Sequence, residues 1–383
     1  MSILDVEHQP RAHRIVQRAL ASDRMPHAYL FAGPEGVGKE QLARELAGLL
    51  TCPTPVRHAA PPDTALEGEV QDGCGTCDDC RLAAAETHPD LFLVHRQLNR
   101  QHPNPTIRRQ KALFLGVEVI RHFLVDRATT RPLRGRARVF IVREAERLNA
   151  SAQNALLKTL EEPPPATFII LLTAALDRML PTTRSRCQQV VFQTLPREFV
   201  ARRLAELRPG AGAPEVGYIA HHAAGSLGEA IRQLDDGLYS LKHSWGDRLA
   251  EMAAGRRGFA PHSLARPLMD DAKTLGKGVA QRDPDVSDTD ATRAGLRSLL
   301  AALADFYLDA LHRRTGASLP AINGDQPEVI ERLTADRGDH ALVGCLREIA
   351  LADANLGRNA NVELTCETLF IRLARNGRRR AAG

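Results

Sequence analysis

The apolar positions in the first half of the chain form short continuous runs, which predict buried strands at residues 28–32, 91–94, 138–142, 167–172 and 188–192. Stretches with the apolar spacing of a helix lie before or between these runs, at residues 11–22, 39–50, 117–126 and 150–162. Buried strands that alternate with helices indicate a parallel sheet covered by helices on both faces. The first half of the chain is therefore predicted to be an α/β domain.

Beyond Pro196 the apolar positions follow helical spacing alone. Short helices are predicted at residues 197–207, 216–224 and 227–234, and the strongest later helices at 293–311, 345–354 and 362–374. Residues 271–290 contain Gly, Pro, Ser and Asp and are predicted to form a long loop. The pattern predicts an α/β domain over residues 1–195, a small helical domain over 196–239 and an all-α domain over 240–383.

Composition and charge limit the class of protein. The 383-residue chain is 43% hydrophobic and 25% charged, and residues 1–10 lack the basic and apolar regions of a signal peptide. We therefore expect a cytoplasmic protein with no membrane partner. A net charge of +5 is compatible with a phosphate-bearing partner. Arginines crowd residues 127–138 and 378–380, which we interpret as a solvated loop and a frayed chain end, with contact to DNA left open.

A glycine-rich segment, GPEGVGKE, follows the first predicted strand and fits the phosphate-loop pattern G-x-x-x-x-G-K. The glycines of such a loop, here Gly33, Gly36 and Gly38, turn backbone N–H groups toward phosphates. The lysine, here Lys39, reaches the outer phosphates, and a Ser or Thr after it holds Mg²⁺. Glu40 stands at that last position instead. Its carboxylate adds negative charge where phosphates bind, and it can pair with Lys39.

The second half of a nucleotide site is expected where the strand at 138–142 ends. An acidic residue at the first position after such a strand holds the metal ion. Arg143 replaces that acid, and Glu144 stands where the water-activating acid is expected. Because both metal-holding positions are altered, we do not expect efficient ATP hydrolysis, and bound ATP with Mg²⁺ is doubtful. Nucleotide binding without hydrolysis stays open.

Residues 52–89 are rich in Pro, Gly, Asp and Cys and are predicted to be an irregular insertion. Cys74, Cys77 and Cys80 form a C-x-x-C-x-x-C pattern, and Cys52 lies upstream of it. Four thiolates can complete a closed tetrahedral Zn²⁺ site. An iron–sulfur cluster is the chemical alternative, but its pattern calls for another cysteine soon after Cys80.

Other residues could change this metal-site interpretation. His58 and His88 are weaker candidate ligands, since a lone histidine near a loop is more often only solvated. Cys187, Cys345 and Cys366 lie among apolar residues and are predicted to be buried thiols.

Three segments together resemble the bacterial clamp-loader family, which is an AAA+ family. They read MPHAYLFAGP at residues 25–34, NALLKTLEEPP at 154–164 and TRSRC at 183–187. The resemblance covers about residues 2–234 and continues only as a helical pattern and a short segment at 355–373. It implies a RecA-like AAA+ domain with an inserted four-cysteine zinc module, a helical lid and a helical collar. The collar would join the chain to gamma/tau and delta subunits.

The resemblance also assigns roles to individual residues. Thr173 stands where a polar residue senses the gamma-phosphate, and Glu229 stands where a second sensor is usually arginine, with Arg232 one turn further on. Arg186, in the Ser-Arg-Cys motif, is implied to complete the ATP site of a neighbouring gamma/tau subunit. Lost ATPase residues combined with a retained Ser-Arg-Cys arginine favour the delta-prime members of the family.

The function implied by the resemblance is to help open a ring-shaped sliding clamp and load it on primed DNA, with weak or indirect DNA contact. One alternative is an active gamma/tau-type ATPase, against which Glu40 and Arg143 argue. The other is an AAA+ DNA-remodelling motor outside replication, such as a branch-migration motor. The cysteine module and the Ser-Arg-Cys motif argue against that motor.

Overall fold

A computed structural model describes residues 2–22, 24–60, 66, 68–134, 136–255 and 259–377 of the chain. The chain divides into two compact units, Met1–Pro196 and Arg197–Gly383. The predicted division of the second unit into a lid and a collar at residue 239 stays a prediction. The arginines at 378–380 lie outside the described residues.

The first unit is built on a five-stranded parallel sheet of β1 (Ala28–Ala32), β4 (Leu91–Val94), β5 (Arg138–Val142), β6 (Thr167–Thr173) and β7 (Gln188–Val191). The strand order is β4-β5-β6-β1-β7, and every neighbouring pair is parallel. All residues of β1 and β5 are buried, as continuous apolar runs require. The predicted strands and the parallel sheet are confirmed.

The helices of this unit are α1 (Pro10–Ala21), α2 (Lys39–Thr51), α3 (Asp78–Ala84), α4 (Pro105–Arg108), α5 (Val117–Ile120), α6 (Asp126–Ala128), α7 (Ala150–Glu161) and α8 (Pro181–Arg184). Short 3-10 turns lie at Ile3–Asp5, Arg96–Gln101, Ala145–Arg147 and Leu176–Arg178. A π-helical segment, Arg121–Val125, joins α5 to α6, so the predicted helix at 117–126 is present but locally widened. Asn149 caps α7 by accepting a 2.8 Å hydrogen bond from the Ala152 N–H.

The insertion after α2 is more regular than predicted. It contains an antiparallel pair of strands, β2 (Val56–Ala59) and β3 (Glu69–Asp72), followed by α3. The side chain of Gln17 on α1 accepts from the Gln71 N–H at 2.9 Å and donates to the Gln71 carbonyl at 3.1 Å. A side chain from another element thus satisfies the backbone of β3, and no pattern within residues 52–89 indicates this.

The arginine-rich segment is not simply a solvated loop. Arg138 is 3% exposed, and its guanidinium forms a 3.1 Å ion pair with Asp90, which is 1% exposed. Asp90 also accepts hydrogen bonds at 2.9 Å from the backbone N–H groups of Leu133 and Arg134. Arg127 lies over the ring of Phe92. The interpretation as a solvated loop is therefore wrong for Arg138, whose charge holds the chain that leads into β5.

Replacing Asp90 by Asn is expected to destabilise the first unit by about 3–5 kcal/mol, because it leaves a buried guanidinium without its counter-charge. Burial favours a higher pKa for Asp90. The hydrogen bonds from Arg134 and Leu133 and the charge of Arg138 outweigh that effect, so its pKa lies below the ordinary value. This stabilisation is complete above about pH 4 and is lost as pH falls through the lower folded pKa.

Denaturant unfolding of the Asp90→Asn chain across pH 3–7 tests this expectation. The matched control is Asp78→Asn, because Asp78 is 76% exposed and its one ion pair among the described residues is with the exposed Arg81. That control should shift stability by less than about 0.5 kcal/mol. Equal stability of the two variants at pH 7 would contradict the role of Asp90.

The second unit is all helical. Its helices are α9 (Arg197–Leu207), α10 (Ala213–His222), α11 (Leu227–Asp235), α12 (Leu238–Ala253), α13 (Ala265–Arg282), α14 (Asp288–Thr315), α15 (Pro327–Asp336), α16 (Asp339–Gly357) and α17 (Val362–Gly377), with a 3-10 turn at Pro261–Leu264. The long loop predicted at 271–290 is wrong. A Cβ at Gly276 would lie 2.8 Å from the Ala291 carbonyl oxygen, and one at Gly295 would lie 2.2 Å from that of Ala272. These glycines allow α13 and α14 to pack closely, and do not mark a loop.

Candidate nucleotide site and cysteine cluster

Three of the predicted site segments meet at the carboxyl ends of neighbouring strands. The glycine-rich loop follows β1, Thr173 ends β6, and Arg143 follows β5. Ala32 pairs in register with Thr173, and the Gly33 N–H donates to the Thr173 carbonyl at 3.1 Å. This edge is where ligands bind in open α/β sheets. The structure therefore brings these three segments together at one edge of the sheet.

The loop has the backbone conformation that glycine permits. Gly33 has φ 154°, and a Cβ there would lie 2.5 Å from the Phe192 carbonyl oxygen. Gly38 has φ 101°, and a Cβ there would lie 2.7 Å from a methyl carbon of Val6. Side chains at either position would be strained and would clash. The backbone of the loop before α2 thus requires glycine at both positions.

Lys39 is turned back onto its own loop. It is 9% exposed, and its Nζ donates to the carbonyls of Gly33 at 2.6 Å and Pro34 at 2.5 Å. Burial lowers the pKa of Lys39, and the charges of Glu35 and Glu146 oppose that shift. The expected pairing of Glu40 with Lys39 is wrong, because the loop carbonyls already satisfy the ammonium.

Glu40 pairs with arginines on two elements. Arg143, after β5, donates to Glu40 Oε2 at 2.7 Å, and Arg44, one turn further along α2, donates to Oε1 at 2.9 Å. The two residues at the altered metal-holding positions therefore neutralise each other directly. A carboxylate engaged by two guanidiniums has little capacity left to bind a divalent cation. Arg44 is at the i+4 position from Glu40, a spacing that sequence alone could have flagged.

Glu144 and Thr173 complete this edge of the sheet. Glu144 has a left-handed backbone, φ 49° and ψ 48°, and its carboxylate pairs with Arg96 at 2.9 Å and Arg147 at 2.8 Å. It is thus engaged by two cations at the position expected of a water-activating acid. Thr173 is 1% exposed, and its Oγ1 accepts from the Ala175 N–H at 3.1 Å.

Glu146 is a residue that sequence reasoning missed at this edge. Its carboxylate accepts from the Ala174 N–H at 3.2 Å and is one of the charges that act on Lys39. Because it lies in the middle of the 3-10 turn after β5, only the fold reveals that it faces the loop. The second-sensor segment belongs to the second unit, where Glu229 pairs with Arg232 at 2.6 Å.

Arg186 lies between α8 and β7, and β7 is an edge strand. Its Nε donates to Glu161 Oε1 at 2.6 Å, and its NH1 donates to the Thr182 carbonyl at 2.8 Å. Its side chain is 32% exposed and that of Glu161 is 47% exposed. In the isolated chain Arg186 therefore has a local carboxylate partner, in a pair that is open to solvent.

Gln153 holds the turn that carries Arg186. This buried amide accepts from the Leu180 N–H at 2.8 Å and from the Thr183 hydroxyl at 3.3 Å. Its own NH₂ group donates to the Leu148 carbonyl at 3.2 Å. The backbone before Arg186 is thus fixed to α7, so the arginine projects from a rigid base.

Cys52, Cys74, Cys77 and Cys80 lie together, with all four sulfur atoms within 4.8 Å of one another. The Sγ atoms of Cys52 and Cys77 are 3.9 Å apart, and so are those of Cys74 and Cys80. Zn–S bonds of about 2.3 Å in a tetrahedron require S–S distances of about 3.8 Å. The cluster therefore fits a four-coordinate metal ion, and it could hold one.

Several elements position this cluster. Cys52 follows α2, Cys74 and Cys77 lie in the loop after β3, and Cys80 is in the first turn of α3. The N–H groups of Cys77 and Cys80 point at the sulfur atoms of Cys74 and Cys77 at 3.4 and 3.3 Å, which favours thiolates.

The candidate substitute ligands have other partners. His58 pairs with Asp72 at 3.0 Å, and His88 pairs with Asp79 at 3.1 Å. Neither histidine belongs to the group of four sulfur atoms.

The three remaining cysteines are buried thiols, as predicted. Burial raises the pKa of Cys187 and of Cys366 to about 12, and that of Cys345 to about 11. Among the described residues, no helix combines the length and apolar character needed to cross a bilayer.

The sheet order, the glycine-rich loop between β1 and α2, and the residues at the carboxyl edge place the first unit in the AAA+ class of phosphate-loop proteins. The family profile described as DNA polymerase III, delta subunit, matches residues 8–196. Subunit delta' of DNA polymerase III from Escherichia coli K12 is 30% identical over 343 residues, covering 85% of this chain and 87% of the relative. The chain belongs to the family of DNA polymerase III delta-prime clamp-loader subunits.

Two further relatives support the same class. Subunit delta' from Bacillus subtilis 168 is 28% identical over 254 residues, covering 66% of this chain and 68% of the relative. Subunit gamma/tau from Mycobacterium tuberculosis H37Rv is 34% identical over 206 residues, covering 54% of this chain and 31% of the relative. This match to gamma/tau covers about half of this chain.

Proposed function

We propose that this chain is a largely non-hydrolysing subunit of the clamp loader, which assembles with gamma/tau and delta subunits and helps load a sliding clamp on primed DNA. The observation that carries the non-hydrolysing role is the 2.7 Å pair between Glu40 and Arg143. In an active site of this class a hydroxyl and a carboxylate at these positions hold Mg²⁺. Here the two positions bind each other.

Electrostatics supports the same proposal. A Mg²⁺ ion that entered this edge would meet the guanidinium of Arg143 where it needs a carboxylate, and close like charges repel. Glu144 lacks the freedom of a general base, since Arg96 and Arg147 hold its carboxylate. Without a bound Mg²⁺ ion and a free general base, the glycine-rich loop alone does not stabilise the charge that develops in phosphoryl transfer.

The isolated chain is expected to hydrolyse ATP no faster than its Lys39→Ala variant, in the presence of primed DNA and clamp. Steady-state phosphate release from both proteins measures this. Lys39→Ala is the control for background hydrolysis, because it removes the lysine with which phosphate-loop enzymes bind the outer phosphates. Robust turnover that disappears in Lys39→Ala would overturn the non-hydrolysing role and favour an active gamma/tau-type ATPase.

The same proposal includes two further roles for this chain. Arg186 completes the ATP site of the adjoining gamma/tau subunit, and Cys52, Cys74, Cys77 and Cys80 hold a structural Zn²⁺ that keeps the insertion folded. The closed set of four sulfur ligands supports a structural ion over a catalytic one, which would keep an open position. Co-purification of the chain with gamma/tau and delta tests the assembly itself.

A further inference from the structure

Helix α1 carries a stripe of arginines along its exposed face. Arg11, Arg14 and Arg18 follow one another at spacings of three and four residues, so they lie on one side of the helix. All three are exposed, and none forms an ion pair or a side-chain hydrogen bond within the part of the chain that the structure describes. The helix contains no acidic residue, so its outer face carries three positive charges and no negative one.

The opposite face of α1 is buried. Ala12 and Val16 are 0% exposed, and the Gln17 side chain is hydrogen-bonded to the backbone of Gln71. The helix packs against β3 and β7. The backbone that carries the three arginines is therefore fixed, and binding at this face would not require a mobile segment to become ordered.

The fold does not account for these arginines. Arg11 is the second residue of the helix, where the partial positive charge of the helix amino terminus makes a cation unfavourable. Arg14 has a like charge three residues before it and another four residues after it, and such neighbours destabilise a helix. Only Arg18, in the last turn, is placed favourably relative to the helix dipole. A local arrangement that costs stability without a compensating contact indicates a function outside the isolated chain.

The chemistry of the stripe points to a row of phosphates. A guanidinium binds a phosphate through two parallel hydrogen bonds. Seven helical residues rise about 10.5 Å, and a DNA strand has one phosphate per about 3.4 Å of helix axis, so each arginine can meet a different phosphate.

The surroundings of the stripe argue against other kinds of partner. Among the described residues, none of the large apolar side chains that are exposed lies on α1. A protein interface has an apolar core, and a membrane-bound helix buries an apolar face. Contacts to a nucleic-acid backbone need only cations and other hydrogen-bond donors.

We propose that Arg11, Arg14 and Arg18 bind the phosphate backbone of DNA, independently of its base sequence. The choice of DNA as the source of the phosphates rests on the proposed function, in which the chain helps load a clamp on primed DNA. The phosphate contact itself rests on the arginine stripe alone. The inference adds a direct DNA contact on this subunit, where the family resemblance implied a weak or indirect one.

The salt dependence of DNA binding by the full chain tests the contact. Fluorescence anisotropy with a labelled blunt duplex compares the wild-type chain with Arg11→Gln/Arg14→Gln/Arg18→Gln. Each phosphate contact contributes about −0.9 to the slope of log affinity against log salt concentration. Raising the NaCl concentration from about 50 to about 200 mM should therefore weaken wild-type binding about 40-fold more than binding by the variant. Equal slopes, or no measurable wild-type binding at the lower salt concentration, would overturn the proposal.

Arg203→Gln/Arg208→Gln/Arg313→Gln is the matched control, because it removes the same charge from exposed arginines that already pair with carboxylates. This control should bind DNA as the wild-type chain does, and an equal loss would show a general effect of net charge and refute the stripe. The α1 variant should unfold at the wild-type temperature or above it, since it removes like-charged neighbours. A large loss of stability would assign the arginines a structural role instead.

Photo-crosslinking in the assembled loader gives an independent measure. Arg14 is replaced by the photoreactive amino acid p-benzoylphenylalanine, and the complex is irradiated with primed DNA, sliding clamp and ATP. A covalent product with DNA is expected, and the same replacement at Arg203 should give none. A product with another subunit or the clamp, and none with DNA, would make the stripe a protein contact and overturn the proposal. If the chain does not assemble with gamma/tau and delta, the proposed function fails, while the salt dependence of the chain alone still decides the phosphate contact.

Discussion

In a loader assembled with gamma/tau and delta subunits, Arg186→Ala should abolish hydrolysis at the one ATP site that faces this chain. A guanidinium supplied by a partner offsets charge on the transferred phosphoryl group and is worth roughly 10³–10⁵ in rate at that site. Because the other motor sites keep their own arginines, total clamp- and DNA-stimulated ATPase should fall only in part. Steady-state ATPase and clamp loading by the intact complex measure the loss.

Arg186 can leave its local contacts and reach a gamma-phosphate at a low cost in free energy. Its partner Glu161 is 47% exposed, and ion pairs between exposed side chains contribute at most about 1 kcal/mol. Exchange of Glu161 for a gamma-phosphate therefore costs little, while Gln153 keeps the supporting turn in place.

Two control variants separate the trans role from a purely local one. Glu161→Gln weakens the local pair and should leave ATPase near its normal level, whereas loss of activity in both Glu161→Gln and Arg186→Ala would indicate that only the pair matters. Arg184→Ala tests the other arginine of this segment. Full clamp loading by the Arg186→Ala complex, together with no effect of Arg184→Ala, would rule out a role for Arg186 in the neighbouring ATP site.

Loss of the metal site is the second large effect that we expect. Structural zinc contributes about 10–16 kcal/mol of apparent binding free energy in small peptides at neutral pH. Cys77→Ser/Cys80→Ser removes two of the four ligands, so metal content should fall from about one zinc per chain to near zero. Amide hydrogens of β2, β3 and α3 should then exchange rapidly, because the ligands tie these elements to the end of α2.

Elemental analysis and hydrogen exchange on the full chain measure both consequences. Cys187→Ala is the matched control, since it removes a buried thiol of the same unit outside the cluster and should keep the metal. Unchanged metal content in the double cysteine variant would contradict the four-ligand site. Iron in place of zinc would contradict the choice of metal.

Much of the first unit could be predicted from sequence, because its signals are local. The five apolar runs are long enough and continuous enough to indicate buried parallel strands, and the glycine spacing before Lys39 is specific to one kind of loop. The four cysteines indicate a metal site through their residue type and their spacing. The sequence also predicts that Glu40 and Arg143 stand at positions that hold Mg²⁺ in an active site of this class.

The features that were missed depend on contacts between distant segments. Arg143, one of the two partners of Glu40, lies 103 residues away along the chain. Glu146 faces Lys39 only because β5 lies near the loop. The side chain of Gln17 forms the backbone hydrogen bonds with Gln71 that a neighbouring strand would otherwise form. No local sequence pattern indicates these bonds. The glycines of α13 were misinterpreted because, in the sequence alone, a glycine that allows close helix packing cannot be distinguished from one that ends a helix.

The pair of Glu40 and Arg143 also constrains how this sequence can change. Glu40→Thr alone would leave the guanidinium of Arg143 without its carboxylate, facing the place where Mg²⁺ binds. Arg143→Asp alone would remove the cation that pairs with Glu40 at 2.7 Å and put a shorter side chain with the same negative charge as Glu40 in its place. Neither single substitution recreates a metal site, and each removes a favourable interaction, so their effects are strongly non-additive. Under the proposed non-hydrolysing role, recovery of an ATPase would therefore need both changes together, because each change alone removes the pair without restoring both groups that hold Mg²⁺.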